Sequence, residues 1–334
     1  MRPGQTAGPA TSVAQTALEV LAQGPDRDSV QPLFLFSLPR AGSTLLQRIL
    51  GAHAEIATAS EPWLLLPLLY TLKSQGALAE YGHRLAVTAI EDLCGQLPQG
   101  KSDYLAEIRE LALRLYAKAA RRQARYFLDK TPRYHLVASE IIALFPEAKH
   151  IFLWRHPLAM VGSYVEFFGR GNWNLYGYRI DLFEGLENLL RAYSQAKGQV
   201  HALRYEDLIT ERQAALKQLF AYLELPADER VAETFSQVKL EGRMGDYAGS
   251  KTYSAISSEP LDKWKQTLRN PLRRRWARRY LQWIGNERLN IMGYSLEPLL
   301  AELDAVPVSA QHLLSDAVRM SYGALYAGRR RLWG

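Results

Sequence analysis

Cysteine occurs once in the 334 residues, as Cys94. A single thiol excludes an internal disulfide and a cysteine-based zinc site, and it reads as a small buried hydrophobe. Long apolar runs are also missing. The longest, Trp63 to Tyr70, is interrupted by Pro67, whereas a membrane-spanning helix needs about 20 residues. No transmembrane segment is expected. The opening stretch MRPGQTAGPATSVAQTALEV has no continuous apolar core of the kind a secretory signal requires, so a cytoplasmic protein is expected. Acidic residues are in deficit: 34 Asp and Glu face 41 Lys and Arg, a formal net charge of +7. With 48% hydrophobic and 22% charged residues the chain is no disordered or low-complexity protein.

The positive balance favours an anionic partner such as a nucleotide, an acidic substrate, nucleic acid or a membrane surface. Part of it is local. Arg269, Arg273, Arg274, Arg275, Arg278 and Arg279 crowd one segment, and Arg329, Arg330 and Arg331 sit near the end. Such runs read as solvated helix faces as readily as binding surfaces.

Residues 1–30, rich in Ala, Gly, Gln, Thr and Pro, are expected to form a flexible arm with at most a short helix over 11–22. Order is expected from Pro32. Leu33-Phe34-Leu35-Phe36 is a buried-strand run closed by Pro39 and Gly42, and Leu45, Leu46, Ile49 and Leu50 follow at helical spacing. Further strands are expected at 55–59, 126–128, 150–154 and 200–204. Helices are expected over 64–95, 103–124, 134–145, 211–223, 271–285 and 309–331, with one starting after Pro157. Strands alternating with helices predict an α/β fold, a three-layer α/β/α arrangement around a parallel sheet of about five strands. The main domain is expected over 31–300. Residues 240–262 read as a long loop over the sheet edge, and 301–334 as an amphipathic helical tail. That tail, with Leu313, Leu314, Val318, Tyr322 and Leu325, is expected to dock on the domain; a second copy of the chain or a membrane surface is the alternative.

In an open α/β sheet, ligands bind beyond the carboxyl ends of the strands. There the sequence places Pro39-Arg40-Ala41-Gly42-Ser43-Thr44, then Glu61-Pro62-Trp63, Asp129-Lys130-Thr131-Pro132-Arg133, Arg155-His156-Pro157 and Tyr205-Glu206-Asp207. The first turn is an anion cradle: Gly42 permits close backbone approach, Ser43 and Thr44 open a helix, and Arg40 adds a fixed cation. It lacks the lysine of a Walker A loop, and no acidic pair reads as a metal site. Asp207 is as well placed to cap a helix as to act in a site.

Pro39-Arg40-Ala41-Gly42-Ser43-Thr44-Leu45 resembles the phosphosulfate-binding loop of sulfotransferases that use 3′-phosphoadenosine 5′-phosphosulfate (PAPS). Arg155-His156-Pro157 with Ser163 resembles their second motif, which binds the 3′-phosphate, with the family's Arg-to-Ser spacing. Asp129-Lys130-Thr131-Pro132 and Arg204-Tyr205-Glu206-Asp207-Leu208 are similar to further recurring segments. The resemblance spans residues 32–285. It implies that Arg40, Ala41, Gly42, Ser43, Thr44 and Leu45 hold the phosphosulfate, that Arg155 and Ser163 hold the 3′-phosphate, and that Tyr205 lies near the nucleotide. The cytosolic members carry a catalytic histidine two residues after the lysine; here that place is Pro132. His135 and His156 read as structural. Glu61 follows Arg40 at the separation found in tyrosylprotein sulfotransferases, which also pair that arginine with a Lys-x-Pro lysine like Lys130. The resemblance therefore implies a sulfotransferase with Glu61 as general base, Arg40 and Lys130 as charge stabilisers, PAPS as donor, adenosine 3′,5′-bisphosphate as product and no metal.

The acceptor stays open between a carbohydrate hydroxyl, a lipid or polyketide alcohol, and a phenol on a small molecule or peptide. Residues 62–125 and 240–262 are expected to wall it, with Trp63, Leu64, Leu65, Phe167, Phe168, Trp173 and Tyr176 as candidate apolar lining. A homo-oligomer and a peripheral membrane contact through the tail are compatible with the sequence. Competing readings are a P-loop nucleotide kinase, which needs a loop lysine and Mg²⁺ ligands, a basic nucleic-acid binder, which needs interleaved stacking aromatics, and a nucleotide-binding scaffold without activity. No nucleic-acid partner is expected.

Overall fold

The structure, a computed structural model, describes residues 30–76, 79, 82–120, 124–196, 198–240 and 256–332. Five strands form one sheet: β1 (Gln31–Phe36), β2 (Ile56–Thr58), β3 (Tyr126–Asp129), β4 (Lys149–Trp154) and β5 (His201–Arg204). Their order is β2-β3-β1-β4-β5 and every pairing is parallel. The fold is the expected α/β class, with a five-stranded all-parallel sheet among many helices. Parallel strands covered on both faces must be apolar at successive positions. β1 meets that demand from Pro32 through Phe36, all buried. Phe34 packs against the rings of Tyr116, Phe145 and His150.

The chain leaves β1 toward β2 on one side of the sheet and leaves β4 toward β5 on the other. β1 and β4 are neighbours, so their carboxyl ends flank the point where the winding reverses, where open α/β sheets leave a crevice. The cores of the expected strands all formed.

Several helical expectations are corrected. The stretch 64–95 is divided: a short helix covers Leu65–Tyr70, and the next, His83–Gln96, starts only after Gly82. Gly82 has φ 88°, a left-handed conformation that interrupts the helical path and that glycine adopts readily. The stretch 134–145 begins instead as a 3₁₀ turn, Pro132–Leu136, and becomes α-helical at Ala138–Leu144. Tyr134 and His135 are drawn there to buried carboxylates, as described below. The expected loop 240–262 contains the start of a helix, Glu259–Thr267. The rest of that loop, 241–255, and the arm over 1–29 lie outside the described residues. The helix expected over 271–285 breaks at Gly285, which has φ 76° and ψ 161°, and a second helical piece continues to Ile291; Leu296–Ala305 forms a helix the sequence reading did not anticipate.

The final helix, Leu313–Leu332, packs on the domain, but through the face opposite the one expected. Leu314, Val318 and Leu325 are 84%, 71% and 71% exposed. The helix is held instead by Asp316, which accepts from Arg273 Nε at 2.6 Å and Nη2 at 3.2 Å and from Asn270 Nδ2 at 3.1 Å. Arg273 also donates to the carbonyls of Thr267 and Gly171. Both partners are buried, so the pair is bidentate and its remaining donors are satisfied. Apolar periodicity misidentified the docked face because a buried ion pair, not leucine, anchors it. No described helix is long and apolar enough to cross a membrane.

Removing one member of a buried pair leaves an uncompensated charge at a cost of about 3–5 kcal/mol. We expect Asp316→Ala to lower unfolding stability in urea by that amount and to speed proteolysis of the last helix. Arg273→Met added to it should recover most of the loss. A single variant within about 1 kcal/mol of the parent would mean that the pair does not anchor the helix.

Candidate active site

The crevice beyond β1 and β4 opens into a cavity of about 340 Å³. One side is the turn after β1. Its helix, Ser43–Gly51, starts with no side-chain cap. The amides of Leu45 and Leu46 bond to the Gly42 carbonyl and that of Ala41 to Leu38. Among the described residues the amides of Gly42, Ser43 and Thr44 have no backbone partner, and with the helix dipole behind them they suit an anion. Gly42 has φ 94°, and a Cβ there would lie 2.3 Å from the Tyr205 ring. Only glycine fits that conformation and that contact without displacing the ring.

The second side comes from β4. Arg155 is buried, donates from Nη1 to the Arg40 carbonyl at 2.7 Å and from Nη2 to the Pro260 carbonyl at 3.1 Å. Its guanidinium lies 4.5 Å from the centre of the Tyr205 ring. Its Nε is buried with no hydrogen-bond partner among the described residues. Arg40 sits over the Phe167 ring at 3.9 Å and donates from Nε to Ser163 Oγ at 3.4 Å. The Glu206 carboxylate accepts from the His156 amide and the Tyr294 hydroxyl, which joins the ends of β4 and β5. His156 Nδ1 accepts from Leu158 and Ala159 at the start of helix Pro157–Phe167, a capping role. Asp207 pairs with Arg204 and does not cap.

The third side carries an ion pair. Lys130 Nζ, 1% exposed, donates to Glu61 Oε1 at 2.7 Å, and Trp63 Nε1 donates to Oε2 at 3.3 Å. Both residues are held from behind. Asp129, fully buried at the end of β3, accepts from Tyr116 at 2.6 Å, Tyr134 at 2.8 Å and Thr131 at 3.2 Å. Thr131 Oγ1 in turn accepts from the Trp63 amide, and the Tyr134 hydroxyl from the Leu65 amide. Gln47 Nε2 reaches Thr58 Oγ1 and the carbonyls of Ala59 and Ser60. The strand leading to Glu61 is thereby tied to the helix that starts at Ser43. Arg40 and Trp63 both have positive φ, 68° and 54°. Bulky side chains rarely adopt this, and the strain sits on two walls of one cavity.

The structure brings Arg40, Gly42, Ser43, Thr44, Glu61, Lys130 and Arg155 to the cavity lining. It does not bring Ala41 or Leu45, which are core, nor Tyr205, a buried platform beneath Gly42 and Arg155. Ser163 contacts Arg40 behind the lining. Of the candidate apolar walls, Trp63, Phe167 and Phe168 contribute, while Trp173 and Tyr176 line a different cavity. The sequence reading placed Arg133 beyond a strand end without giving it a role, and it missed Tyr178 and Asp181. Asp181 lies in a π-helical turn, Ile180–Gly185, that no periodicity signals. It accepts from the buried His135 Nε2 at 2.9 Å and lies 3.3 Å from Arg133 Nε. Burial holds the His135 imidazole below its ordinary value despite that carboxylate.

A model described as the sulfotransferase family matches residues 32–229. The nodulation protein NoeE of Sinorhizobium fredii (strain NBRC 101917 / NGR234) is 34% identical over 137 residues, 39% of this chain and 30% of that protein. This chain thus spans under a third of that relative's length. A Caenorhabditis briggsae protein named as a candidate protein-tyrosine sulfotransferase is 22% identical over 240 residues, 70% of this chain and 80% of that one. The solved sulfotransferase domain from the Synechococcus PCC 7002 olefin synthase aligns with a TM-score of 0.51 at 23% identity, over 73% of this chain and 90% of that domain. This last likeness shows the shared fold.

Burial raises the Asp129 pKa from 3.8 to about 6, opposed by the hydrogen bonds from Tyr116, Tyr134 and Thr131 and by the Lys130 charge. A carboxyl that binds its proton more tightly when folded adds stability as pH falls through 6 toward 3.8. We expect the stability advantage of the parent over Asp129→Asn to widen by about 1 kcal/mol between pH 7 and pH 5. Urea melts at the two pH values measure it. A narrowing advantage would mean that the three hydrogen bonds outweigh desolvation and keep Asp129 ionised.

Proposed function

The chain belongs to the sulfotransferase family, and on that premise we propose that it transfers the sulfuryl group of PAPS to a hydroxyl acceptor, with the catalytic domain over residues 31–300. The carrying observation is the part-buried Glu61–Lys130 pair at 2.7 Å, in one cavity with Arg40, Arg155 and the glycine turn. Two features fit the donor. Among the described residues the buried Nε of Arg155 has no partner and the amides of Gly42, Ser43 and Thr44 have no backbone partner, and such donors suit anionic oxygens.

The turn amides with the hydroxyls of Ser43 and Thr44 would hold the 5′-phosphosulfate. Arg155 and Ser163 would hold the 3′-phosphate, with Tyr205 fixing the Arg155 plane. When bound, PAPS supplies a sulfuryl group on a phosphate leaving group. Glu61 takes the proton from the acceptor hydroxyl. Among the described residues each of its oxygens receives one hydrogen bond, leaving acceptor capacity on both. The acceptor oxygen bonds to sulfur as the bond from sulfur to the bridging oxygen breaks. That oxygen stays with adenosine 3′,5′-bisphosphate. Arg40 and Lys130 stabilise the charge that builds up on the sulfuryl and bridging oxygens. As in phosphoryl transfer, positioning and fixed charge carry most of the work. A sulfuryl group bears less negative charge than a terminal phosphate, so side-chain cations can serve where a kinase uses Mg²⁺. The acceptor is a small molecule, glycan or peptide whose hydroxyl reaches Glu61 between Trp63, Phe167, Phe168 and Tyr178.

Adenosine 3′,5′-bisphosphate without metal is expected to raise the melting temperature, while AMP and Mg²⁺–ATP leave it nearly unchanged. A ligand at 100 times its Kd contributes about 2.7 kcal/mol. A shift with Mg²⁺–ATP alone would favour a kinase. Glu61→Gln should lower kcat about 10²-fold or more with bisphosphate affinity nearly unchanged. Arg155→Ala should weaken bisphosphate binding by about 1–3 kcal/mol. Full kcat in the first or full affinity in the second would remove the residue from its assigned role.

A further inference from the structure

The arginine-rich helix Pro271–Ile291 resolves into neutralised and unneutralised members. Arg273 is matched by Asp316, and Arg274 and Arg278 by Asp304. Arg275 and Arg279, one turn apart and both exposed, have no carboxylate within ion-pair distance among the described residues. Arg179 faces the same space. Its recorded contact is the Phe183 ring at 4.8 Å. These three guanidinium groups line a cavity of about 460 Å³ whose lining contains no carboxylate.

The rest of the lining is apolar. Trp173 and Trp276 meet edge to face at 5.3 Å, and Leu272, Tyr176 and Met320 complete the walls. The last helix closes one side through Met320, Gly323 and Ala324. Like charges at i and i+4 on a helix repel by a few tenths of a kcal/mol, and here nothing in the described protein offsets them. The volume lies in the range of small-molecule sites, about 300–1,000 Å³. None of its lining residues is shared with the candidate active site, although both cavities flank the segment 173–181.

We propose that this cavity is a second ligand site, for a phosphate monoester whose organic body is aromatic or apolar. The guanidinium forks of Arg179, Arg275 and Arg279 engage the phosphate, and the body rests against the apolar wall that Leu272, Tyr176, Trp276 and Met320 contribute. The site stands independently of the nucleotide reading.

Titration calorimetry with phenyl phosphate, inorganic phosphate and benzyl alcohol tests it, on the parent and again on Arg155→Ala, both without nucleotide. Phenyl phosphate should bind in both settings, about tenfold or more tighter than either fragment. Arg275→Gln with Arg279→Gln should weaken it about tenfold or more. Arg274→Gln with Arg278→Gln, the same charge loss on the same helix, should stay within about twofold. Equal weakening in the two double variants would reduce the effect to general electrostatics and overturn the site. So would phenyl phosphate binding no tighter than inorganic phosphate.

Discussion

A carboxylate with no exposure at the end of β3 organises the reacting side of this molecule. Asp129 is costly to bury as a charge, and its pKa near 6 records that desolvation exceeds the compensation it receives. The compensation comes from three hydroxyls carried by three different local structures: Tyr116 on helix Lys101–Ala119, Tyr134 on the 3₁₀ turn, and Thr131 between them and the strand. Burial and the Asp129 charge push both phenols well up, so they remain donors. Two of the three hydroxyls also accept from the segment that bears Glu61: Thr131 from the Trp63 amide and Tyr134 from the Leu65 amide. Lys130 follows Asp129 directly. Its reach to Glu61 is thus set by the same carboxylate that fixes the Glu61 segment. The backbone that carries both members of the 2.7 Å pair is thus held by one hydrogen-bond network.

The other half of the cavity depends on stacking and strain. Tyr205 lies beneath both Gly42 and Arg155, and Arg155 holds the carbonyl of Arg40. β1, β4 and β5 therefore meet through one ring and one guanidinium. The left-handed conformations of Arg40 and Trp63 each cost on the order of 1–3 kcal/mol. They persist because the neighbouring hydrogen bonds over-determine the backbone. On the proposed function, rigidity at this edge has a chemical use. Transfer of a group between two oxygens gains most from charges already in place when the transition state forms.

Much of this was legible in the chain itself. The strands at 32–36, 126–128 and 150–154 are apolar runs with stops after them, and the residues just past those stops are those that meet at the cavity. Through the family resemblance, the 21-residue separation of Arg40 and Glu61 and the Lys-x-Pro at Lys130 singled out Glu61 and Lys130 as site residues, though not their pairing with each other. What could not be read were contacts made by long-range polar pairing. Gln47 resembles any polar residue on a helix, yet it is fully buried and fixes three groups near Glu61. Asp181 reaches the cavity on a π-helical turn, whose i→i+5 spacing leaves no hydrophobic signature. Asp129 was read as a strand end, because a sequence does not reveal which carboxylate will be surrounded by hydroxyls.

The last helix makes the same point in reverse. Leucines at helical spacing mark a face that prefers burial, with each buried side chain worth about 1.5–3 kcal/mol. Here Leu314, Val318 and Leu325 stay in water while an aspartate is buried on the opposite face. Asp316 can occupy that position only because Arg273 answers it with two hydrogen bonds and Asn270 with a third. Once Arg273 is committed to that pair, the neighbouring arginines of its helix divide by geometry. Arg274 and Arg278 turn toward Asp304, while Arg275 and Arg279 turn to the cavity that the same last helix closes. The pairing that anchors the helix thus also leaves a concentration of positive charge beneath it. Charge was the sequence's first signal, and its meaning here lies in which arginines find a carboxylate and which do not.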